Sequence, residues 1–357
     1  MARLETDPFL AEILGQPGAL RRAAEGVREQ RDHLEALARI SPRARRIVFT
    51  GMGSSYFACY PALTELCAAG VDASMTDAAE LLHFRRPALG GDALLIAVSQ
   101  SGRSAELVRL LEDSRAWGPT GRPRVVSVTN GLGSPVAEAA DFALDTRAGP
   151  EVAPSTMTFA ASLVVLGALA GTLGPDADAR DVVARVAEES ERTADRADRL
   201  LEAPDARAAE LRQWLGERPT LVLLGRGRDR AAAEMGSLIL QEAARVPAAA
   251  MQTGQFRHGP LEIAGSDLAA IVVAAEPTTR PLDLGLAGEL RGLGAEVLLV
   301  GPRGEDVGAW FDIAEASRLL SPTLSVMPAQ LLAWRLALDR GLEPGTFTVA
   351  TKTTTRE

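Results

Sequence analysis

A chain of 357 residues is longer than one ordinary core and suits two domains with some additional helix. Its 46% hydrophobic and 24% charged residues exclude wholesale disorder, and a net charge of −9 without a basic run argues against nucleic acid or an anionic membrane as a partner. Aromatics are only 4%, so helices and strands packed through small residues are expected rather than an aromatic-lined binding module. In chain order, residues 8–40 read as helical, with Phe9, Ile13, Leu20, Val27, Leu34 and Leu37 at roughly helical spacing and Pro17-Gly18 interrupting the first part. Arg46 to Thr50 reads as a strand, followed by Gly51-Met52-Gly53-Ser54-Ser55 and a helix through Leu66. Ala93 to Val98 is a second strand opening into Ser99-Gln100-Ser101-Gly102 and a helix from Ser104. Val125 to Thr129 and Phe142 to Asp145 are further strands, and a long apolar helix from Ser155 closes the unit near Gly174. A charged connector of one or two helices covers 175–215. The plan then restarts: a strand at Leu221 to Leu224, Gly225-Arg226-Gly227-Arg228, a helix from about Asp229 to Arg245, strands at Leu268 to Ala275 and Val297 to Val300, and a helix from Met327 to Arg340. Phe347 to Glu357 is a Thr-rich tail.

Continuous apolar strands alternating with helices mean parallel sheets covered on both faces. The expected fold class is therefore α/β, with two doubly wound, flavodoxin-like parallel-sheet domains. The echo of Phe49-Thr50-Gly51-Met52-Gly53 in Leu223-Leu224-Gly225-Arg226-Gly227 suggests two copies of one fold. The expected organisation is a helical segment at residues 1–37, a first domain at 38–175, a helical connector at 176–210, a second domain at 211–345 and a closing tail at 346–357. Cys59 and Cys67 lie on one helix and read as small core hydrophobes in a reducing compartment. Met1-Ala2-Arg3-Leu4-Glu5 has no signal-peptide character, and the most apolar window, Ser162 to Leu173, falls short of the ~20 residues a bilayer requires. A cytoplasmic protein is expected, without metal or cofactor.

Ligands in open α/β sheets sit at the carboxyl ends of the strands, so the polar turns after Thr50 and Val98 fall where a site belongs. Gly51-Met52-Gly53 with Asp72 further on could mark a dinucleotide site, but Tyr56 stands where a third glycine is required. Ser99-Gln100-Ser101-Gly102-Arg103-Ser104 places three hydroxyls at a strand-to-helix turn, where unpaired helix amides also point outward. A capping role accounts for one of those hydroxyls, not three. We read the turn as a phosphate holder.

The stretches at Ser99-Gln100-Ser101-Gly102, Gly149-Pro150-Glu151-Val152-Ala153-Pro154-Ser155-Thr156 and Phe256-Arg257-His258-Gly259-Pro260-Leu261 resemble the isomerase half of glucosamine-6-phosphate synthase. They also resemble its relatives with two sugar-isomerase (SIS) domains, the aminosugar-phosphate deaminases/isomerases and the fructosamine-6-phosphate deglycases. The resemblance implies a sugar 6-phosphate held by Ser99, Gln100, Ser101 and Ser104. It places Ser54, Ser55, Ala153, Ser155 and Thr351 near the sugar. Glu242 is implied as the proton shuttle, His258 as the ring-opening acid/base reaching into a partner's site in a homodimer, and Lys352 as the cation facing the enediol oxygen. Three positions depart from the family pattern: Ile239 and Met157 replace lysines, and Gln255 replaces a glutamate. No N-terminal Cys is present to attack glutamine, so a chain that does not generate its own ammonia is expected. The expected function is an aminosugar-6-phosphate deaminase/isomerase. The alternatives are a fructosamine-6-phosphate deglycase, a simple ketose/aldose isomerase and a non-catalytic sugar-phosphate-binding protein. For a DNA-binding regulator of that last kind, residues 1–40 are too short and insufficiently basic.

Overall fold

The computed structural model describes residues 7–40, 45–112, 117, 121–175, 177–304, 308–314 and 319–356; Met1-Ala2-Arg3-Leu4-Glu5 and the terminal Glu357 lie outside them. The chain divides into two compact units. The N-terminal unit comprises Gly18–Glu151, Met157–Arg192 and Val349–Glu357, and the C-terminal unit comprises Met1–Pro17, Val152–Thr156 and Thr193–Thr348. Each unit therefore takes a segment from the far end of the sequence.

Helices α1 (Pro8–Glu29) and α2 (Arg31–Ile40) precede the first sheet. That sheet holds β1 (Arg46–Thr50), β2 (Ala73–Met75), β3 (Ala93–Ser99), β4 (Arg124–Thr129) and β5 (Phe142–Asp145), all parallel, in the order β2-β1-β3-β4-β5. All seven residues of β3 are buried, as a strand covered on both faces must be. The helices that accompany this sheet include α3 (Ser54–Phe57), α4 (Cys59–Ala68), α5 (Ala105–Glu112), α6 (Pro135–Glu138) and α7 (Met157–Leu173). Helix α7 is apolar around almost its whole circumference and packs on α2 and α4. Leu95, Leu107, Leu110, Val125 and Val136 lie in the core between the sheet and α5. Burial of each such side chain contributes roughly 1.5–3 kcal/mol.

Helix α8 (Ala179–Leu200), which runs through the division at Arg192, and α9 (Pro204–Leu215) lead to the second sheet. That sheet contains β6 (Thr220–Gly225), β7 (Ala248–Gln252), β8 (Leu268–Val273), β9 (Glu296–Gly301) and β10 (Ala309–Asp312), all parallel, in the order β10-β9-β8-β6-β7. Read from the other edge, this is the strand order of the first sheet. The fold is thus α/β with two doubly wound, flavodoxin-like sheets, as the strand pattern implies. Its helices are α10 (Asp229–Ala244), α11 (Thr253–Phe256), α12 (Arg280–Gly292) and α13 (Met327–Asp339), with α13 packed on α9 and α10. Among the described residues no helix is long and apolar enough to cross a membrane.

Three local expectations are corrected. Pro17 does not interrupt α1. A proline leaves the carbonyl four residues earlier without its amide donor; here the side-chain amide of Gln16 donates to Ile13 O at 3.0 Å and takes over that bond. The same group pairs reciprocally with Gln330, both being fully buried. Asp7 fixes the start of the helix by accepting from Leu10 N and from Trp334 Nε1, at 3.0 and 2.6 Å. Second, Cys67 is not a core residue: it is exposed at the end of α4, while Cys59 is buried as expected. Third, β2, β7 and β10 were absent from the sequence reading. They are short edge strands with half-exposed side chains and lack the continuous apolar run of the central strands.

Candidate functional site

The turn after β3 is built almost entirely from its own polar groups. Ser99 is buried; its hydroxyl accepts from Gly102 N at 3.1 Å and lies 3.0 Å from Ser104 Oγ. Ser101 Oγ accepts from Arg103 N, and Ser55 Oγ accepts from Gln100 N. Gln100 O in turn accepts from Asn130 N, tying the turn to the end of β4. Gly102 has φ +60°, and a Cβ there would lie 2.0 Å from Ser134 Oγ, so only glycine fits. Ser134 cannot withdraw freely, because its hydroxyl caps α6 by accepting from Ala137 N. The hydroxyl cluster is therefore real, but Ser99 serves the turn itself, while Gln100, Ser101 and Ser104 are half-exposed.

Gly51 is glycine for a different reason from the one a dinucleotide motif supplies. A Cβ at Gly51 would meet Val98 O at 2.9 Å and the backbone of Ser55 and Tyr56 at 3.2 Å. Close strand-to-helix packing thus sets up the turn that carries Ser54, half-buried, and Ser55, buried, beside the β3 turn.

The C-terminal tail belongs to the same unit. Lys352 Nζ donates to Glu151 Oε2 at 2.9 Å; the Glu151 side chain is fully buried and that of Lys352 is 20% exposed. Thr351 is exposed. Ser54, Ser55, Ser99, Gln100, Ser101, Ser104, Thr351 and Lys352 thus all lie in the N-terminal unit.

The remaining expected residues lie in the C-terminal unit. Ala153 and Ser155 are buried, and the loop they occupy is held by Glu12, whose carboxylate accepts from Val152 N at 2.6 Å and from Ala153 N at 3.1 Å. Glu242 is half-buried near the end of α10. His258 is exposed, and its amide donates to Gln255 O in the turn after α11. Of the departures, Ile239 is fully buried in the core, Met157 is buried at the start of α7 and Gln255 is exposed.

The second sheet carries a counterpart of the turn after β3 that sequence reasoning missed. Thr50 pairs with Ala97, and Leu224 pairs with Val272, so Gly51 matches Gly225 and the Gln100 amide matches that of Ala275. A Cβ at Gly225 would strike Asp229 as one at Gly51 would strike Ser55. Asp229 thus stands where Ser55 stands. Its Oδ2 accepts from Ala275 N and Glu276 N, at 2.8 and 2.7 Å. Around it Arg228 pairs with Glu276, both buried, and Arg226 pairs with Asp283 at 2.9 Å. Burial, with Asp283 and Glu276 nearby, raises the Asp229 carboxyl to about 7. Burial also raises Asp283, against the pull of Arg226; for Glu276 burial is outweighed by the Arg228 guanidinium, which holds its carboxyl low. A carboxylate of the protein itself occupies the amides that the first copy leaves to its hydroxyl-lined turn. In the sequence, Asp229 read only as an acid at a helix start.

Comparison with known proteins agrees with this duplicated architecture. The model of the SIS domain family matches residues 42–171 and again 215–338. A glutamine–fructose-6-phosphate aminotransferase (isomerizing) from Pyrobaculum aerophilum is 30% identical over 358 aligned positions, covering 98% of this chain and 57% of that protein. The chain thus spans little more than half the length of that relative. The C-terminal domain of glucosamine-fructose-6-phosphate aminotransferase from Francisella tularensis superposes with a TM-score of 0.83 at 21% identity, over 94% of this chain and 97% of that one. Tagatose-6-phosphate ketose/aldose isomerase from Escherichia coli superposes with a TM-score of 0.76 at 22% identity, over 96% of each. Two matches to one family model, on the two sheets, cover most of the chain: the protein belongs to the SIS domain family.

Proposed function

We propose that the protein is a phosphosugar enzyme of the aldose–ketose isomerase type, acting on an aminosugar 6-phosphate. The observation that carries this reading is the hydroxyl-lined turn Ser99–Ser104 at the carboxyl end of β3, in one unit with the tail that bears Lys352. A phosphate is a tetrahedral dianion, and a turn of half-exposed hydroxyls leading into α5 offers donors without net charge. Gln100, Ser101 and Ser104 would hold it, with Ser99 fixing the turn.

The chemistry follows from the substrate. His258 opens the ring. Glu242 takes the proton from C2 of the aldehyde form, leaving an enolamine, and returns it to C1, leaving a ketimine at C2. Water adds at C2 and ammonia departs, giving the ketose 6-phosphate. Lys352 faces the oxygen that gains charge during proton transfer. Ile239 stands where the synthase pattern has a lysine.

The test is incubation with glucosamine 6-phosphate, following ammonia and fructose 6-phosphate together. Equal release of both is expected, abolished by Glu242→Gln with little change in substrate affinity. Release of an amino acid from a fructosamine 6-phosphate, with none of ammonia from glucosamine 6-phosphate, would select deglycation instead. Sugar-phosphate binding that never leads to turnover would refute catalysis.

A further inference from the structure

We propose that Glu151 is a positioning residue for the reaction: it seats Lys352 and, through it, the C-terminal segment against the helix that follows the phosphate turn. The inference rests on the reading of Lys352 as a group that acts on the sugar.

Glu151 is prepared for this task before any tail arrives. Its Oε1 accepts from Thr158 N at 3.1 Å, and its Oε2 accepts from Thr158 Oγ1. Thr158 lies in the first turn of α7, where backbone amides lack intrahelical acceptors and the helix dipole favours an anion. The carboxylate is thus buried in one orientation, and the Lys352 ammonium meets it at 2.9 Å.

The tail buries little of itself. Of residues 349–356 only Lys352 and Thr353 are half-buried, the others are exposed, and the one large apolar side chain, Val349, is completely solvent-exposed. Apolar burial therefore contributes almost nothing to its position. A second polar contact lies two residues beyond Lys352, where Thr354 O accepts from Ala105 N at 3.1 Å. Ala105 opens α5 and directly follows Ser104, so the tail reaches the N-terminus of the helix on which the phosphate turn ends. A charged contact and a backbone contact, two residues apart, fix one short segment. Removing the charge takes the Glu151 carboxylate away from a largely buried ammonium, and the segment that carries it loses that attachment.

The decisive variant is Glu151→Gln, which keeps the size and an acceptor for Thr158 N but removes the anion. Hydrogen exchange at the Ala105 amide, which donates to Thr354 O, is expected to accelerate at least tenfold, with β3 and α7 unchanged. Turnover of the sugar phosphate should fall at least tenfold in kcat, with inorganic phosphate affinity within twofold of wild type. Lys352→Met should free the tail equally, and the double variant should be no worse than either single one. Glu151→Asp, which retains the charge, should recover part of both losses. Unchanged exchange at the Ala105 amide of a folded Glu151→Gln protein would overturn the proposal. So would acceleration spread equally through β3 and α7, which would mark Glu151 as a general structural residue. Exchange is read without substrate, so these outcomes stand even if the wild type turns over no aminosugar phosphate.

Discussion

Replacing Asp229 by Asn tests the claim that a buried carboxyl fills the second copy's turn. Asp229 is wholly buried, its Oδ2 takes two amides and its Oδ1 has no hydrogen-bond partner among the described residues. Its pKa rises from 3.8 to about 7 on folding, some three units, or roughly 4 kcal/mol at 1.36 kcal/mol per unit. The sign is opposite to that of an ion-paired Asp. The folded state holds the proton more tightly, so the group costs nothing below pH 4. Its cost grows as pH rises from 4 to 7, and above pH 7 the full penalty applies. Arg226 and Arg228 keep their own partners, Asp283 and Glu276, in the variant, so Asn leaves no guanidinium uncompensated. Asn also retains an oxygen to accept from Ala275 N and Glu276 N. From pH 5 to pH 8 the wild type should therefore lose about 2–3 kcal/mol relative to Asp229→Asn. For a unit of this size that corresponds to roughly 5–10 °C in Tm. Parallel thermal unfolding of both proteins across this range reads the difference directly and cancels the other titrating groups. A wild-type-minus-variant difference that stays flat from pH 5 to pH 8, or that slopes the other way, would refute the reasoning.

Gly102→Ala should abolish sugar-phosphate binding and lower stability by several kcal/mol, because the positive φ and the contact with Ser134 Oγ cannot both be relieved; isothermal titration and unfolding check this. Gln16→Ala should cost about 2–4 kcal/mol, since it strands the Ile13 carbonyl beside Pro17 and leaves the buried Gln330 amide unpaired; a urea midpoint measures it. Cys67 should react with a thiol reagent in the native protein at pH 8. Cys59, buried and with its thiol pushed up by desolvation, should react only on unfolding, giving one equivalent before denaturant and two after.

The central strands were legible because a parallel strand covered on both faces must be apolar throughout, as β3 is. Of the edge strands, β5 was legible, but β2, β7 and β10 were not, since they are short and contain none of the Val, Ile or Leu that marks the central strands. The hydroxyl cluster after β3 was legible from the serines the sequence gathers there. Its internal division of labour was not: both Ser99 and Ser101 accept a turn amide, and only burial of Ser99 at the end of β3 separates them. Glu151 and Asp229 were invisible in these roles because an acid in a sequence is solvated by default, and only burial against amides gives it another meaning. Pro17 misled for a related reason. A proline breaks a helix unless something else serves the orphaned carbonyl, and the substitute donor here is the preceding side chain.

The contact between Thr354 O and Ala105 N joins residues separated by most of the chain. During synthesis the first sheet and its helices leave the ribosome long before that carbonyl exists. The turn that would bind phosphate can thus form early, well before its closing segment is made. The C-terminal unit has the converse arrangement, since Asp7 and Gln16 wait for Trp334 and Gln330. Closing such distant contacts carries a loop-entropy cost that is met late, so each unit reaches its final form only after both of its distant segments have been made. A ribosome stalled before residue 352 should hold a first sheet that is folded and a site that is unfinished.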